Sequence, residues 1–133
     1  MAQITPTVIT QIFLMALLAL GYLRYRSGDL RGHGLILVAA TIIHYASVIL
    51  QMIPVLLSEY PSFTSTPLAS FTLLNVAHDA TGGVAMILAA YISARWIANG
   101  LNPKGCLGKN LMRVTIITWA ASLIIGLYLH LTT

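Results

Sequence analysis

The amino-acid sequence predicts an all-α integral membrane protein in which four hydrophobic helices cross the bilayer as a bundle. Charged residues make up only 8% of the chain, apolar residues make up 58%, and the mean hydropathy is +0.87. A soluble domain carries about 25% charged residues, so this composition cannot cover a water-facing surface. Four long apolar runs separated by short polar connections complete the case, because about 20 apolar residues cross a membrane as one helix.

We expect one transmembrane domain over residues 1–133, with helices at about 7–26, 33–57, 68–97 and 112–132. Spanning segments satisfy their backbone hydrogen bonds internally, so they form helices that pack as a bundle. Turn-forming residues mark the connections: a Gly-Asp turn at 28–29, a Ser/Thr/Pro-rich segment at 58–67 and a glycine-rich segment at 99–109. Aromatic residues of the kind that anchor helices at membrane interfaces flank the spans, namely Tyr22, Tyr25, Tyr60 and Trp96.

The basic residues predict how the chain is oriented in the membrane. All seven lie around the first and third connections: Arg24, Arg26, Arg31, Arg95, Lys104, Lys109 and Arg113. Because cytoplasmic loops carry an excess of Lys and Arg, we expect segments 24–31 and 95–113 to face the cytoplasm and both termini to lie outside. This placement argues against a nucleic-acid partner, which would need the charges on one folded contact surface. The predicted location is therefore the cell membrane, as a multi-pass protein.

Polar side chains within the spans are the candidate functional residues, because an ionisable group at membrane depth is costly. The second span carries His44, the third carries His78 beside Asp79, and the fourth carries His130. At a rise of about 1.5 Å per residue, His78 and His130 each lie about 25 Å from the nearest cation of the third connection. His44 lies about 20 Å from the last cation of the first connection by the same rule. Three histidines on three helices are therefore expected at similar depths.

Histidines at one depth on separate helices suit a b-type haem, whose iron takes one imidazole on each face. His78 with His130 and His78 with His44 are both candidate pairs. Asp79 is a candidate to hydrogen-bond a ligating histidine and fix its tautomer, or to carry a proton. The alternative cofactor is Zn²⁺ or Cu bound by His44, His78, Asp79 and His130, since these ions take three or four N and O ligands.

Residues near His78 are expected to shape its surroundings. Asn75, His78, Asp79 and Gly82 are spaced by three or four residues, so they are predicted to line one side of the third helix. Gly82 and Gly83 have no side chains, so they would let either a neighbouring helix or a flat cofactor approach closely.

Some short motifs carry a resemblance to a known family. A basic turn at 24–31 precedes His33, the stretch 78–83 reads His-Asp-Ala-Thr-Gly-Gly, and Gly126 and Tyr128 lie near the end of the fourth span. In this layout the chain resembles the YozB/CtaM-like accessory proteins, small four-helix membrane proteins linked to cytochrome oxidase maturation. The resemblance implies a respiratory setting. It also implies a further histidine in the loop before the fourth span, which this chain lacks, so a cofactor site built on His33 is not expected here. Because His33 lies close to Arg31 in the sequence, it is expected to contact lipid headgroups rather than a cofactor.

Three functions are consistent with these features. The first is a haem-binding protein that transfers electrons or serves as a small subunit of a respiratory membrane complex. The second is a cofactor-free accessory or assembly protein for a membrane oxidase, in which the histidines hydrogen-bond between helices. The third is a Zn²⁺ or Cu site in the bundle. The expected partners are the lipid bilayer, other membrane protein subunits and a second copy of the chain. The sequence shows no pair of a nucleophile and a base, so an independent enzyme is not predicted.

Overall fold

The computed structural model describes residues 5–65, 69–101 and 109–132, and within these ranges the chain is helical apart from short turns. The helices are α1 (Pro6–Arg26), α2 (Leu30–Ser47), α3 (Ile53–Ser65), α4 (Ser70–Ala98) and α5 (Lys109–Thr132), and a π-helical turn, Val48–Met52, joins α2 to α3 without a break. Four segments are long and apolar enough to cross a membrane: α1, most of α4, most of α5 and the continuous stretch Leu30–Ser58. The predicted four-helix membrane fold is confirmed.

A tight turn joins α1 to α2. Gly28 has a φ of +85°, in the left-handed region that glycine adopts without steric cost. The carboxylate of Asp29 then caps α2 by accepting a hydrogen bond from the backbone N–H of Gly32 at 2.9 Å, and it also lies 3.3 Å from the guanidinium of Arg24. Because this cap satisfies a free N–H of the first turn, the second span begins at Leu30, three residues before the predicted start.

The second span contains the π-helical turn just before Pro54. Proline has no N–H, and its ring collides with the carbonyl four residues earlier in a regular α-helix. The wider turn relieves this crowding, and Ile53 donates its N–H to the carbonyl of Val48, five residues back. Gln51 lies within the turn, which matters because π turns occur frequently at functional sites.

Beyond the π turn, α3 continues through most of the predicted connection at 58–67. The hydroxyl groups of Ser58 and Thr64 donate to carbonyls of the preceding turn, those of Val55 at 2.7 Å and Pro61 at 3.0 Å. Such bonds accommodate Ser and Thr within a helix. This explains why the helix continues through the Ser- and Thr-rich segment that was predicted to be a connection. Every described side chain of α3 is exposed, and α3 makes no extensive contact with α1, α4 or α5 in the described ranges.

The bundle consists of two antiparallel hairpins, α1 with α2 and α4 with α5. The hairpins meet where α2 packs on α4 and α1 packs on α5, and these contacts are less extensive than those within a hairpin. We call this boundary between the hairpins the seam. The Tyr45 hydroxyl crosses it by donating to the carbonyl of Met86 at 3.0 Å.

The two ends of the bundle differ in charge. At one end α1 and α4 finish while α2 and α5 begin, and we call it the basic end because it carries Arg24, Arg26, Arg31, Arg95 and Arg113. The opposite end is the terminal end, where α1 starts near Pro6 and α5 finishes near Thr132. The candidate histidines His78 and His130 lie in the half of the bundle toward the terminal end, whereas His44 lies near the middle, level with Trp119 of α5.

Trp96 packs against Gly34 near the basic end, in space that a side chain at position 34 would occupy. A Cβ placed on Gly34 would lie 2.5 Å from Cζ2 of the Trp96 ring, and Trp96 is only 3% exposed. The prediction that Trp96 is an interface anchor is therefore wrong, because glycine lets the indole fill the space between α2 and α4. Tyr22, Tyr25 and Tyr60 are exposed as expected.

Large apolar side chains cover the outside of the bundle. Leu50, Leu57 and Ile87 are each about 70% exposed, and many other aliphatic side chains are exposed around all four spans. A contiguous apolar surface of this kind on a small protein needs a non-aqueous environment. The outer surface therefore indicates that a lipid bilayer surrounds the bundle.

We predict that Gly34→Ala destabilises the bundle whereas Gly83→Ala does not. The new methyl group at position 34 would overlap the Trp96 ring, so the expected loss is about 1–3 kcal/mol of unfolding free energy, typical of overpacking. A Cβ at Gly83 would meet nothing within 4 Å. Reversible unfolding in mixed micelles would measure both variants, and equal stabilities would contradict the Trp96 contact.

Candidate functional site

His78 of α4 is held between α4 and α5 by its Nδ1 atom. This atom lies 2.8 Å from the main-chain carbonyl oxygen of Ser122. Because a carbonyl oxygen only accepts, Nδ1 carries the hydrogen of the neutral ring, and Nε2 keeps its lone pair. The bond therefore fixes the one tautomer in which Nε2 can bind a metal or accept a proton.

Ser122 returns a bond to α4, so the two residues form a reciprocal pair. Its hydroxyl donates to the main-chain carbonyl of His78 at 3.0 Å and also lies 3.3 Å from Nδ1 of the ring. The missing side chain of Gly82 makes room for this hydroxyl, since a Cβ there would lie 2.8 Å from Oγ. Of the two predicted uses of Gly82, close approach of a neighbouring helix is therefore the one observed.

Gly126 of α5 provides the second contact that positions His78. A Cβ on Gly126 would lie 2.5 Å from Cε1 of His78 and 3.0 Å from Nε2 of Gln11. The imidazole of α4 and the amide of α1 thus meet over the bare backbone of α5. Gln11 is fully buried, so three helices enclose this face of the ring.

His44 of α2 lies deep in the bundle and is 4% exposed. Its ring packs against the indole of Trp119 on α5, with ring centroids 5.3 Å apart and planes inclined by 51°. Nδ1 of His44 is buried and has no hydrogen-bond partner in the described part of the chain. The contact with Trp119 brings His44 of α2 across the seam to α5.

His130 and Asp79 complete the predicted set. His130 is partly buried in the last turns of α5, whereas Asp79 is exposed on the outer face of α4. Among the described residues, no group of three or more His, Cys, Asp or Glu side chains is arranged to hold a metal ion.

The prediction that Asn75, His78, Asp79 and Gly82 line one side of α4 is wrong for Asp79. Gly83 is exposed and faces open space, and Asp79 also points outward, whereas Asn75 is partly buried. The reason is helical geometry: neighbours in sequence point about 100° apart. When His78 and Gly82 face α5, Asp79 and Gly83 must turn away.

His33 is a structural residue of the first hairpin. It is buried, and its Nδ1 lies 2.7 Å from the carbonyl oxygen of Gly21 on α1. Its ring also packs beside that of Tyr25, with centroids 5.4 Å apart. The expected contact with lipid headgroups is therefore wrong, because the ring points inward to tie α1 to α2.

Several residues of this site were not predicted from the sequence. Gln11, Trp119 and Ser122 line it from helices α1 and α5, and Gly126 makes room for His78. Gln11 gave a recognisable signal as a polar residue inside an apolar span. Ser122 and Gly126 form a pair of small residues four apart, a pattern typical of close helix contacts, but the sequence alone does not say which helix they meet.

Comparisons with protein-family models, with curated protein sequences and with solved structures found no match to this chain. The resemblance to YozB/CtaM-like proteins therefore stays a prediction, and the candidate site is interpreted from its own geometry.

We predict that Gly126→Ala displaces His78 from the carbonyl of Ser122. The methyl group would occupy the place of the ring edge, so the Nδ1–H signal of His78 should be lost from ¹⁵N NMR spectra of histidine-labelled protein. The expected loss of unfolding free energy is about 1–3 kcal/mol. Gly83→Ala is the matched control and should leave both observables unchanged. A Gly126→Ala protein with the same His78 tautomer and full stability would refute the contact.

Proposed function

We propose that the chain is a haem-binding membrane protein that carries electrons or serves as a small subunit of a respiratory membrane complex. The observation that carries the proposal is the bond between Nδ1 of His78 and the carbonyl of Ser122. Metal-ligating histidines almost always donate their second ring N–H to a carbonyl or carboxylate, which orients the ring and raises its basicity. His78 has this arrangement inside a span.

Two features of the surroundings of His78 support a b-type haem. Nε2 is the ring nitrogen that the bond to Ser122 leaves available for a ligand. Gln11, fully buried, brings an amide whose two polar atoms have no partner in the described structure. Haem would supply the one-electron chemistry, while this chain would supply the ligand, the orientation of its ring and the exclusion of water.

The second ligand would come from His44 or His130. Each lies on a different helix from His78. His44 reaches the site from across the seam, whereas His130 lies on α5, one turn beyond Gly126. Because contacts across the seam are less extensive than those within a hairpin, the seam is where the bundle would separate most easily to admit a flat group.

The four long apolar helices support action within the membrane. Most of the chain belongs to four apolar spans, so electrons would pass to a partner that docks in the bilayer or at its surface. A respiratory partner is also what the predicted family resemblance implies. Other membrane subunits or a second copy of the chain would fill this role.

A cofactor-free accessory protein is the second candidate, and the glycine contacts favour it. Gly82 and Gly126 are already occupied by the side chains of Ser122 and His78, so these glycines serve helix packing. In this alternative, His78 and Ser122 serve only to join α4 to α5 through their reciprocal hydrogen bonds. The bundle would then support the assembly of a membrane oxidase.

We predict that the purified protein, from cells supplied with haem, shows a sharp visible band of b type on reduction. His78→Asn should abolish the band, because an asparagine amide can still donate to the carbonyl of Ser122 but has no ligating nitrogen. His33→Asn, which keeps the corresponding bond to Gly21, is the matched control and should retain the band. Loss of six-coordinate character in His44→Leu or His130→Leu would name the second ligand.

The spectra also separate the two candidate functions. A colourless wild-type protein that yields no haem on extraction would overturn the haem proposal. A cofactor-free role would then remain, provided that His78→Asn stays folded and His78→Ala is destabilised.

We further propose that the basic end faces the cytoplasm and that both termini lie outside, because Arg24, Arg26, Arg31, Arg95 and Arg113 lie at the basic end and cytoplasmic loops carry an excess of Lys and Arg. Cys106 is the single cysteine of the chain, and it belongs to the segment between α4 and α5. A membrane-impermeant maleimide should label it in inverted vesicles but not in intact cells. Cys106→Ser combined with Thr132→Cys is the matched control and should give the opposite pattern. Labelling of Cys106 in intact cells would reverse the orientation.

A further inference from the structure

The bundle interior contains a set of buried polar side chains whose hydrogen-bonding groups the haem proposal uses only in part. Six of their atoms are buried and have no hydrogen-bond partner among the described residues: Nε2 and Oε1 of Gln11, Nδ1 of His44, Oγ of Ser47, Oε1 of Gln51 and Nε1 of Trp119. Gln11, His44, Ser47 and Trp119 are each at most 4% exposed. These residues come from α1, α2, the π turn and α5.

Contacts link several of these residues, directly or through one neighbouring residue. The ring of His44 packs on that of Trp119, and Ser47 and Gln51 follow His44 along the same helix face. Gln51 donates from Nε2 to the hydroxyl of Thr10 at 3.4 Å, and Thr10 precedes Gln11 on α1. We call Gln11, His44, Ser47, Gln51 and Trp119 the polar seam cluster.

The cluster is difficult to explain as packing alone. A buried donor or acceptor without a partner loses its hydration and gains nothing in return. In a membrane the surrounding lipid cannot supply the missing bond. The great majority of buried polar groups in proteins have a hydrogen-bond partner. Six buried atoms without one therefore indicate that something else binds them.

The types of atom define the chemistry of this guest. The indole N–H of Trp119 can only donate, and the free carbonyl oxygen of Gln51 can only accept. The amide of Gln11 and the hydroxyl of Ser47 can do both. An anion would leave the acceptors unsatisfied, and a cation would leave the donors unsatisfied. The mixed set is suited to neutral O–H groups, which donate and accept at once.

We propose that the polar seam cluster binds neutral hydroxyl groups, in the form of a small group of internal water molecules. Buried waters typically make about three hydrogen bonds to otherwise unsatisfied polar groups, and the cluster offers six such atoms. The other source of the same chemistry is the hydroxyl group of a membrane lipid entering the seam. This site rests on atoms other than the free Nε2 of His78, so it does not require that haem binds.

Trp119 is a natural reporter of the site. The chain has two tryptophans, so Trp96→Phe leaves Trp119 as the only indole. Ultraviolet resonance Raman spectra of this variant report whether the indole N–H is hydrogen-bonded. Bilayer discs of a synthetic phosphatidylcholine without hydroxyl groups make water the only O–H source, and a second set of discs contains a lipid hydroquinone.

The expected result is a hydrogen-bonded Trp119 signal in the first discs that exchanges with D₂O. A signal that becomes hydrogen-bonded only with the lipid hydroquinone would assign the site to a lipid hydroxyl instead of water. A non-bonded indole in both sets of discs would overturn the proposal. If Trp96→Phe unfolds, the wild-type protein, in which Trp96 stays packed against Gly34, is measured instead. The Trp119 signal is then taken from the difference between its spectra in the two sets of discs.

Thermal unfolding gives an independent measurement. If a guest satisfies the cluster, Gln11→Leu and Ser47→Ala should lower the melting temperature, because each removes bonds that the guest makes. If the atoms are truly unpartnered, both variants should raise it, which would overturn the proposal. Thr118→Val is the matched control, since the Thr118 hydroxyl already donates within α5 to the carbonyl of Val114.

Discussion

Side-chain hydrogen bonds to main-chain carbonyls of neighbouring helices join this bundle together. His33 joins α2 to α1 through the carbonyl of Gly21, Tyr45 joins α2 to α4 through Met86, and His78 joins α4 to α5 through Ser122. A helical carbonyl has a second lone pair after its own backbone bond is made, so these contacts leave the helices intact. In lipid, where helices gain little from hydrophobic burial against each other, such directional bonds fix which faces meet.

The sequence predicted the spans well because hydropathy and length determine whether a segment can cross a bilayer. It could not predict the rotation of each helix, because the spans are apolar around most of their circumference and lack a single polar side. That is why Asp79 was assigned to the inner face although His78 occupies it. The π turn was equally hidden, since Pro54 indicates a local disturbance but not the direction in which the helix continues.

Glycine positions explain why the candidate site could be located only in part. Gly82 and Gly83 are adjacent glycines that the sequence alone does not distinguish. The hydroxyl of Ser122 lies against Gly82, whereas Gly83 faces open space. The partner of Gly126 is His78, from the neighbouring helix of the same hairpin. Helix packing and ligand binding are compatible at His78, because Nδ1 makes the helix contact while Nε2 remains available for a ligand.

The exit of α3 from the bundle changes what surrounds the end of the second span. After Met52 this span has no buried side chain among those described, and α3 makes no extensive contact with α1, α4 or α5 in the described ranges. Its apolar side chains would therefore meet acyl chains instead of neighbouring helices. Because a segment can adjust to the thickness of the hydrocarbon layer by tilting, the end of this span would respond to bilayer thickness more readily than the three helices that pack together.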